Sequence, residues 1–335
     1  MNIEKMNYNA IKIVDDIIKE AILKKASDIH IREVNNFCII EYRINGIIYK
    51  QDENNYKANE IISRIKIMAK MNVAEKRMPQ DGNIKFEQYD LRICSIPSII
   101  GECIIIRILN SYLNDISLKS LGYSDENIEK FNNALNHKHG LILICGPTGS
   151  GKSTTLLSLT KMLDTGDKKI ISIEDPVENK LNSIIQIQVN EDIGLTFPHI
   201  LRSTLRADPD IIIISEIRDE ITAKIAVRAS LTGHLVLATL HTNDSISSFA
   251  RLIDMGIEKY LLLDSVILIS SQKLLSSLDN KNIKERLLIN ETLYFTDKEK
   301  EIFSKYNLKQ DILNKLKTLN FKTMEEDLNE KGYNI

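Results

Sequence analysis

Tryptophan is absent, and cysteine, proline and glycine are scarce, at 4, 6 and 13 in 335 residues. The cysteines, Cys38, Cys94, Cys103 and Cys145, form no C-x-x-C pair, so neither a disulfide framework nor a zinc site is indicated. Each lies in an apolar strand-like run and reads as a buried free thiol. An excess of either charge is also missing. The 44 Lys and Arg against 46 Asp and Glu leave a net charge of −2, which gives no general attraction to nucleic acid or anionic lipid, although the balance hides local patches. No apolar run approaches the roughly 18–20 residues of a membrane span, and the N-terminus lacks the apolar h-region of a signal peptide. A cytoplasmic protein is expected. No internal repeat or low-complexity segment interrupts the chain, and the length allows two domains with sizeable cores.

The first hundred residues read as α+β. Ile13, Ile17 and Ala21 mark a helix over 9–25, followed by strand-like runs at 28–34 and 37–44. Asn45-Gly46 between β-rich runs signals a hairpin whose two turn positions need positive φ. A helix over 57–71 carries Ile61, Ile65, Met68 and Ala69 on one face. Pro79-Gln80-Asp81-Gly82 reads as a turn, and further short strands run through Cys94 and Ile108, which suggests an antiparallel sheet. A polar stretch from Asn110 to Gly122 holds the linker, placed at 111–120. Beyond it, the apolar runs Leu141–Cys145, Lys169–Ile173, Ile211–Ser215 and Leu235–Leu240 alternate with helical patterns, so 121–275 is expected to be a doubly wound α/β domain with a parallel sheet. The last 70 residues, with 276–335 as a separate region, read as helical.

Three of the scarce glycines fall between positions 146 and 151. Gly146-Pro147-Thr148-Gly149-Ser150-Gly151-Lys152-Ser153, followed by Thr154, satisfies G-x-x-x-x-G-K-[ST] after an apolar strand and before a helix. Such a loop curls its N–H groups around phosphates, with the helix N-terminus behind them. Lys152 then neutralises β- and γ-phosphate oxygens, and the Ser153 hydroxyl ligates Mg²⁺. The expected ligands are ATP and Mg²⁺. Carboxylates follow the next strands: Glu174 and Asp175 after Ile173, and Glu216 after Ser215. Carboxyl ends of strands are where an α/β sheet gathers ligands. Glu216 is therefore placed to polarise the attacking water, and Glu174 or Asp175 to hold the metal through water. His241-Thr242-Asn243 ends the fourth strand and is placed to sense the γ-phosphate, whereas His234, before that strand, is by itself as much structural as catalytic. Arg202 and Arg206 share one helix face, suited to phosphate or to an ordinary surface ion pair.

Taken together, these motifs resemble the secretion and pilus-assembly ATPase family of type II secretion, type IV pili and the competence pseudopilus. The resemblance runs from about Ser27 to Lys273. It includes Ser27-Asp28-Ile29-His30, Tyr42-Arg43-Ile44-Asn45-Gly46 and Ala74-Glu75-Lys76-Arg77-Met78-Pro79-Gln80-Asp81-Gly82. Ile173-Glu174-Asp175-Pro176-Val177-Glu178 is similar to the family's aspartate box, and Glu216-Ile217-Arg218-Asp219 to its Walker B segment. Gly194-Leu195-Thr196-Phe197 and Leu205-Arg206-Ala207-Asp208-Pro209-Asp210 match as well. Thr232-Gly233-His234 with Leu240-His241-Thr242-Asn243 is similar to its histidine box, which adds His234 to the catalytic candidates. The resemblance implies a RecA-like P-loop domain preceded by a smaller, PAS-like α+β domain over 1–110. It also implies a homo-hexameric ring with the nucleotide between the two domains, Arg92 and Arg107 as arginine fingers, and work done on an inner-membrane platform protein with which the ring associates peripherally.

The chain departs from the pattern at Ser215, where a glycine is usual, and at Asn83 and Lys273, where arginines are. No cysteine follows Cys145, so the tetracysteine zinc loop is absent, and the chain opens almost directly at the first of the two family domains. Both features resemble the competence ATPases of Gram-positive bacteria. The expected function is hexameric ATP hydrolysis that drives fibre assembly. Pilus retraction, a nucleic-acid translocase and a non-hydrolysing scaffold are the rival readings; direct nucleic-acid binding is not expected, because no basic or aromatic cluster suited to a strand stands out.

Overall fold

The computed structural model describes residues 3–51, 56–109, 116–279 and 282–332. The chain divides into two compact units, one of residues 1–114 with 276–286, the other of 115–275 with 287–335. Of the linker expected at 111–120, residues 111–115 lie outside the described residues, and 118–121 form a short helix in the second unit.

The first unit runs α1 (Ile3–Leu23), β1 (Asp28–Val34), β2 (Phe37–Ile44), β3 (Ile47–Lys50), α2 (Ala58–Met68), β4 (Gln80–Phe86), β5 (Tyr89–Pro97) and β6 (Glu102–Leu109). The strands form one antiparallel sheet in the order β3-β2-β1-β6-β5-β4. Asn45 and Gly46 both take positive φ in the β2–β3 turn, as a two-residue hairpin requires. Alternation then sorts the side chains. Ile29, Ile31, Ile40, Tyr42, Leu91, Ile93, Ile104 and Ile106 bury one face beneath α1 and α2. Arg43, Asp28, Arg107 and Arg92 stand opposite one another on four successive strands, and so line up on the other face.

Two expectations for this unit need correction. Residues 80–82 do not form a turn but open β4. The Gln80 side chain ties back the loop before it, accepting from the Asn72 N–H and donating to the Asn72 and Glu75 carbonyls. Gly82 is there for close approach, since a Cβ would stand 2.6 Å from the Ala69 carbonyl oxygen. All four thiols are free, but only Cys38 and Cys145 are buried; Cys94 and Cys103 are half-exposed because they point to the sheet face that the helices leave uncovered.

The second unit runs α3 (Leu118–Leu121), α4 (Asp125–Leu135), β7 (Gly140–Cys145), α5 (Lys152–Leu163), β8 (Ile170–Glu174), β9 (Ile185–Gln188), α6 (Phe197–Thr204), β10 (Ile211–Ile214), α7 (Glu220–Leu231), β11 (Leu235–Leu240), α8 (Ser245–Asp254), α9 (Lys259–Ser265), β12 (Val266–Asp279), β13 (Asn282–Tyr294), α10 (Asp297–Lys305), α11 (Lys309–Lys317) and α12 (Met324–Glu330). Its sheet order is β13-β12-β7-β11-β10-β8-β9, parallel from β12 to β9. Successive residues of β7 feed opposite cores. Leu141, Leu143 and Cys145 pack with α6, α7 and α8, while Ile142 and Ile144 pack with α4 and α5. Helices therefore cover both faces, as expected of a doubly wound sheet. The end of the chain differs from the all-helical expectation: three helices lie between 297 and 330, but 266–279 and 282–294 are strands. Val266 to Ile269 is buried on both sides beside β7, and a short apolar run of that kind has the same signature in a central strand as in a buried helix.

The first unit holds a buried ion pair. Lys66 on α2 is fully buried, pairs with Glu102 at the start of β6 and donates to the Glu75 carbonyl at 2.8 Å, while Ser95 Oγ donates to the same carboxylate at 3.2 Å. Removing one partner strands the other charge. Lys66→Met is expected to cost the unit about 3–5 kcal/mol in urea denaturation, and Lys66→Met with Glu102→Leu to recover most of that loss. A single-variant loss below about 1 kcal/mol would contradict this account of the pair.

Candidate active site

The site lies where β7, β10 and β11 end. After Cys145 the chain turns through Gly146 (φ 150°), Gly149 (φ 78°) and Gly151 (φ 87°) and enters α5 at Lys152. Only Gly151 precedes the helix directly, so no side chain caps it and its first N–H groups face the loop. Lys152 is largely buried. Its ammonium donates to the Gly146 carbonyl at 2.9 Å and the Pro147 carbonyl at 3.0 Å, closing the loop on itself. Burial pushes its pKa down from the ordinary lysine value, opposed by Cys145 and Glu216. Pro147, Thr148, Gly149 and Ser153 are exposed and Thr154 is half-buried, so the loop's outer rim and the Ser153 hydroxyl are open to a ligand.

Glu216 follows β10 and points back toward this loop. His241, at the end of β11, stands between the two, with Nδ1 3.5 Å from Lys152 Nζ and Nε2 3.3 Å from Glu216 Oε2. Parallel register explains the meeting: β11 lies between β7 and β10, so the residue after it is flanked by the residues after its neighbours. Arg218 pairs with Glu216 and donates to Asp175 at 3.1 Å, which joins the two carboxylate segments. Ser215 keeps its hydroxyl buried without a hydrogen-bond partner, while its carbonyl accepts from Thr239 Oγ1. Glu174 is turned elsewhere, with Oε1 accepting from Ser172 Oγ at 2.7 Å and Gln186 Nε2 at 2.9 Å.

The remaining candidates are not gathered here. His234 precedes β11, and its Nδ1–H donates to the Ala229 carbonyl at 3.1 Å. It therefore sits at the opposite end of the strand from His241, roughly 20 Å of strand length away. Arg202 and Arg206 are exposed on and just after α6; Arg206 donates to the Arg202 carbonyl and Ser203 Oγ, and among the described residues neither arginine pairs with a carboxylate. Arg92 and Arg107 belong to the first unit, directly opposite each other on β5 and β6, with Arg107 Nε donating to Asp28 Oδ1 at 3.0 Å.

Sequence reasoning assigned no role to Gln272. This fully buried residue of β12 donates from Nε2 to the Ser150 carbonyl at 2.7 Å and accepts at Oε1 from Tyr123 Oη at 2.8 Å and Thr155 Oγ1 at 2.9 Å. The available signal was an amide that, with Lys273 beside it, interrupts a strand-like run of apolar and hydroxylic residues.

The family model described as Type II/IV secretion system protein matches residues 4–327. The chain belongs to this family. It is 43% identical to type II secretion system protein E of Xanthomonas campestris pv. campestris over 81% of its own length and 49% of that protein. Its identity to a putative type II secretion system protein E of Escherichia coli K12 is 44%, over 80% of this chain and 55% of the other. The chain thus spans about half the length of the relatives it matches. Among solved structures it resembles the pilus retraction motor PilT with bound ADP, at 29% identity and TM-score 0.75 over 95% of this chain and 92% of that one. It also shares the fold of the Legionella pneumophila ATPase DotB, at 24% identity and TM-score 0.80 over 96% and 91%. A RecA-like secretion-family fold with its preceding N-terminal domain is therefore shown. No described helix is long and apolar enough to cross a membrane.

The loop glycines of this family member are not equivalent. A Cβ on Gly146 would stand 2.3 Å from the Gln272 carbonyl oxygen, whereas one on Gly149 meets nothing within 4 Å. Gly149→Ala is expected to cost only the left-handed backbone, about 1–2 kcal/mol. Gly146→Ala should lower the thermal midpoint several-fold more, and equal midpoints for the two variants would contradict the close packing of β12 on the loop.

Proposed function

We propose that this secretion-family chain hydrolyses ATP and, as a cytoplasmic homo-hexamer working through an inner-membrane platform protein, powers assembly of a type IV pilus-like or secretion pseudopilus fibre. The observation that carries the hydrolysis is the Lys152–His241–Glu216 chain across the ends of three parallel strands. In this reading the three neighbouring side chains act as phosphate cation, sensor and general base, a role their proximity supports. Lys152 exchanges its carbonyl partners for β- and γ-phosphate oxygens, which are stronger acceptors. Glu216 orients and polarises the attacking water, and His241, touching both residues, reports whether the γ-phosphate is present. Arg218 holds Glu216 and Asp175 together while no phosphate competes for them.

The donor set suits Mg²⁺, which takes hard oxygens and binds through few protein ligands and the substrate phosphates. Ser153 would hold it directly, with Asp175 or Glu174 reaching it through water. Bound there, it would neutralise charge on the phosphate oxygens. Arg92 and Arg107 supply the arginine fingers in this reading, with Arg202 and Arg206 as further phosphate contacts and His234 acting in a neighbouring copy's site. Assembly rather than retraction is supported by the 43% identity to a type II secretion system protein E and by the wording of Gly194–Phe197 and Asn243-Asp244.

ATPase assays and ADP titrations on the purified chain test this. Lys152→Ala is expected to abolish measurable nucleotide binding. Glu216→Gln should keep ADP affinity near that of the parent and lower kcat by about 10²–10³. Arg107→Ala should lower kcat with little change in ADP affinity. Hydrolysis by all of these at the parent rate would overturn the site.

A further inference from the structure

From the three hydrogen bonds of Gln272 we infer that its side chain is a positioning residue that aims the Gly151 amide of the P-loop at the nucleotide phosphates. This rests on the reading of residues 146–154 as a phosphate cradle and adds to it a determinant of its shape that lies outside the motif.

The first step is the orientation of the amide. The Ser150 carbonyl can only accept a hydrogen bond, so the group 2.7 Å from it must be the NH₂ of Gln272. That leaves Oε1 to accept from Tyr123 Oη and Thr155 Oγ1. Both hydroxyl residues are buried, and Gln272 itself has no exposed surface, so no water competes for these partners. In so buried a network, breaking any member leaves a desolvated polar group.

The second step passes through the peptide plane. In a trans peptide the C=O of Ser150 and the N–H of Gly151 point in opposite directions. Drawing the carbonyl toward β12 turns the Gly151 N–H away from β12, toward the concave side of the loop. That N–H has no hydrogen-bond partner within the described residues. With φ at 87° and only a hydrogen for a side chain, Gly151 has an unusually wide choice of peptide orientations. Without the Gln272 amide, nothing in the loop prevents the Ser150–Gly151 peptide from turning its carbonyl toward the cradle, where it would repel phosphate. The β12 backbone is held close for the same purpose, since the Gln272 carbonyl oxygen is the atom that a Cβ on Gly146 would strike.

Titration calorimetry with ADP and Mg²⁺ on the full chain tests this, alongside kcat and KM for ATP. Gln272→Met conserves volume and removes the donor; Gln272→Glu replaces the donor by an acceptor facing the carbonyl. Tyr123→Phe removes one donor to Oε1 but leaves the Gln272–Ser150 bond, and so reports the purely structural share. The expected result is an ADP Kd raised about tenfold by Gln272→Met and more by Gln272→Glu. KM should rise in parallel and kcat change less. Tyr123→Phe should stay within about threefold of the parent, at a thermal midpoint close to that of Gln272→Met.

Two results would overturn the inference: both Gln272 variants binding ADP within twofold of the parent, or Tyr123→Phe weakening ADP as much as Gln272→Met. A Gln272→Met chain that fails to fold would also overturn it, because the amide would then be a general brace. Lys152→Ala separates the two levels. If that variant still binds ADP, the cradle reading itself fails. If it does not bind and the Gln272 variants bind ADP within twofold of the parent, only the inference fails.

Discussion

A lysine ammonium drawn out of water and answered mainly by carbonyl oxygens is the constraint on which this site depends. Lys152 holds the carbonyls of Gly146 and Pro147 and so keeps the loop curled before any ligand arrives. Neutral carbonyls satisfy a charge less well than phosphate oxygens do. The ammonium is therefore held by acceptors that phosphate oxygens would improve on, which favours a polyanion at the loop. The surrounding sheet serves this one group. Cys145 brings the chain up from the core, α5 begins at the lysine, and β12 supports the loop from behind through Gln272.

The acidic side of the site is equally built from strand ends. Because β11 runs between β7 and β10, His241 stands between Lys152 and Glu216 as a consequence of register rather than of any local motif. Arg218 then keeps Glu216 and Asp175 from repelling each other across the gap. Its guanidinium is held firmly charged, first by the hydrogen bond with Glu216. The carboxylate proposed as general base thus shares its charge with Arg218, and a ligand that draws Arg218 away would change its reactivity.

Much of this was legible in the sequence because the signals were local. β1, β2 and β11 begin and end where the apolar patterning placed them, Asn45-Gly46 makes its hairpin, and the P-loop turns into a helix at Lys152. What escaped was set by distant neighbours. Gln80 to Gly82 looks like a turn until Ala69 is seen to need a glycine opposite it. Val266 to Ile269 has no periodicity that separates a central strand from a buried helix, and only its place beside β7 decides the matter. Gln272 carries no motif at all, and its importance appears once Ser150 is known to lie against it. Cys94 and Cys103 were misjudged because an apolar strand does not announce which of its faces the helices will cover.

The row of Arg43, Asp28, Arg107 and Arg92 has a consequence for conformational entropy. Asp28 grips Arg107 by its inner nitrogen, Nε, and the two outer nitrogens have no partner among the described residues. An arginine side chain carries about 2 kcal/mol of rotamer freedom, and a bond at Nε restricts part of it on folding. Arg92, its cross-strand neighbour, has no such tether among the described residues. Two arginines that look interchangeable in the sequence therefore differ: one is tethered to a carboxylate on the neighbouring strand, the other is not.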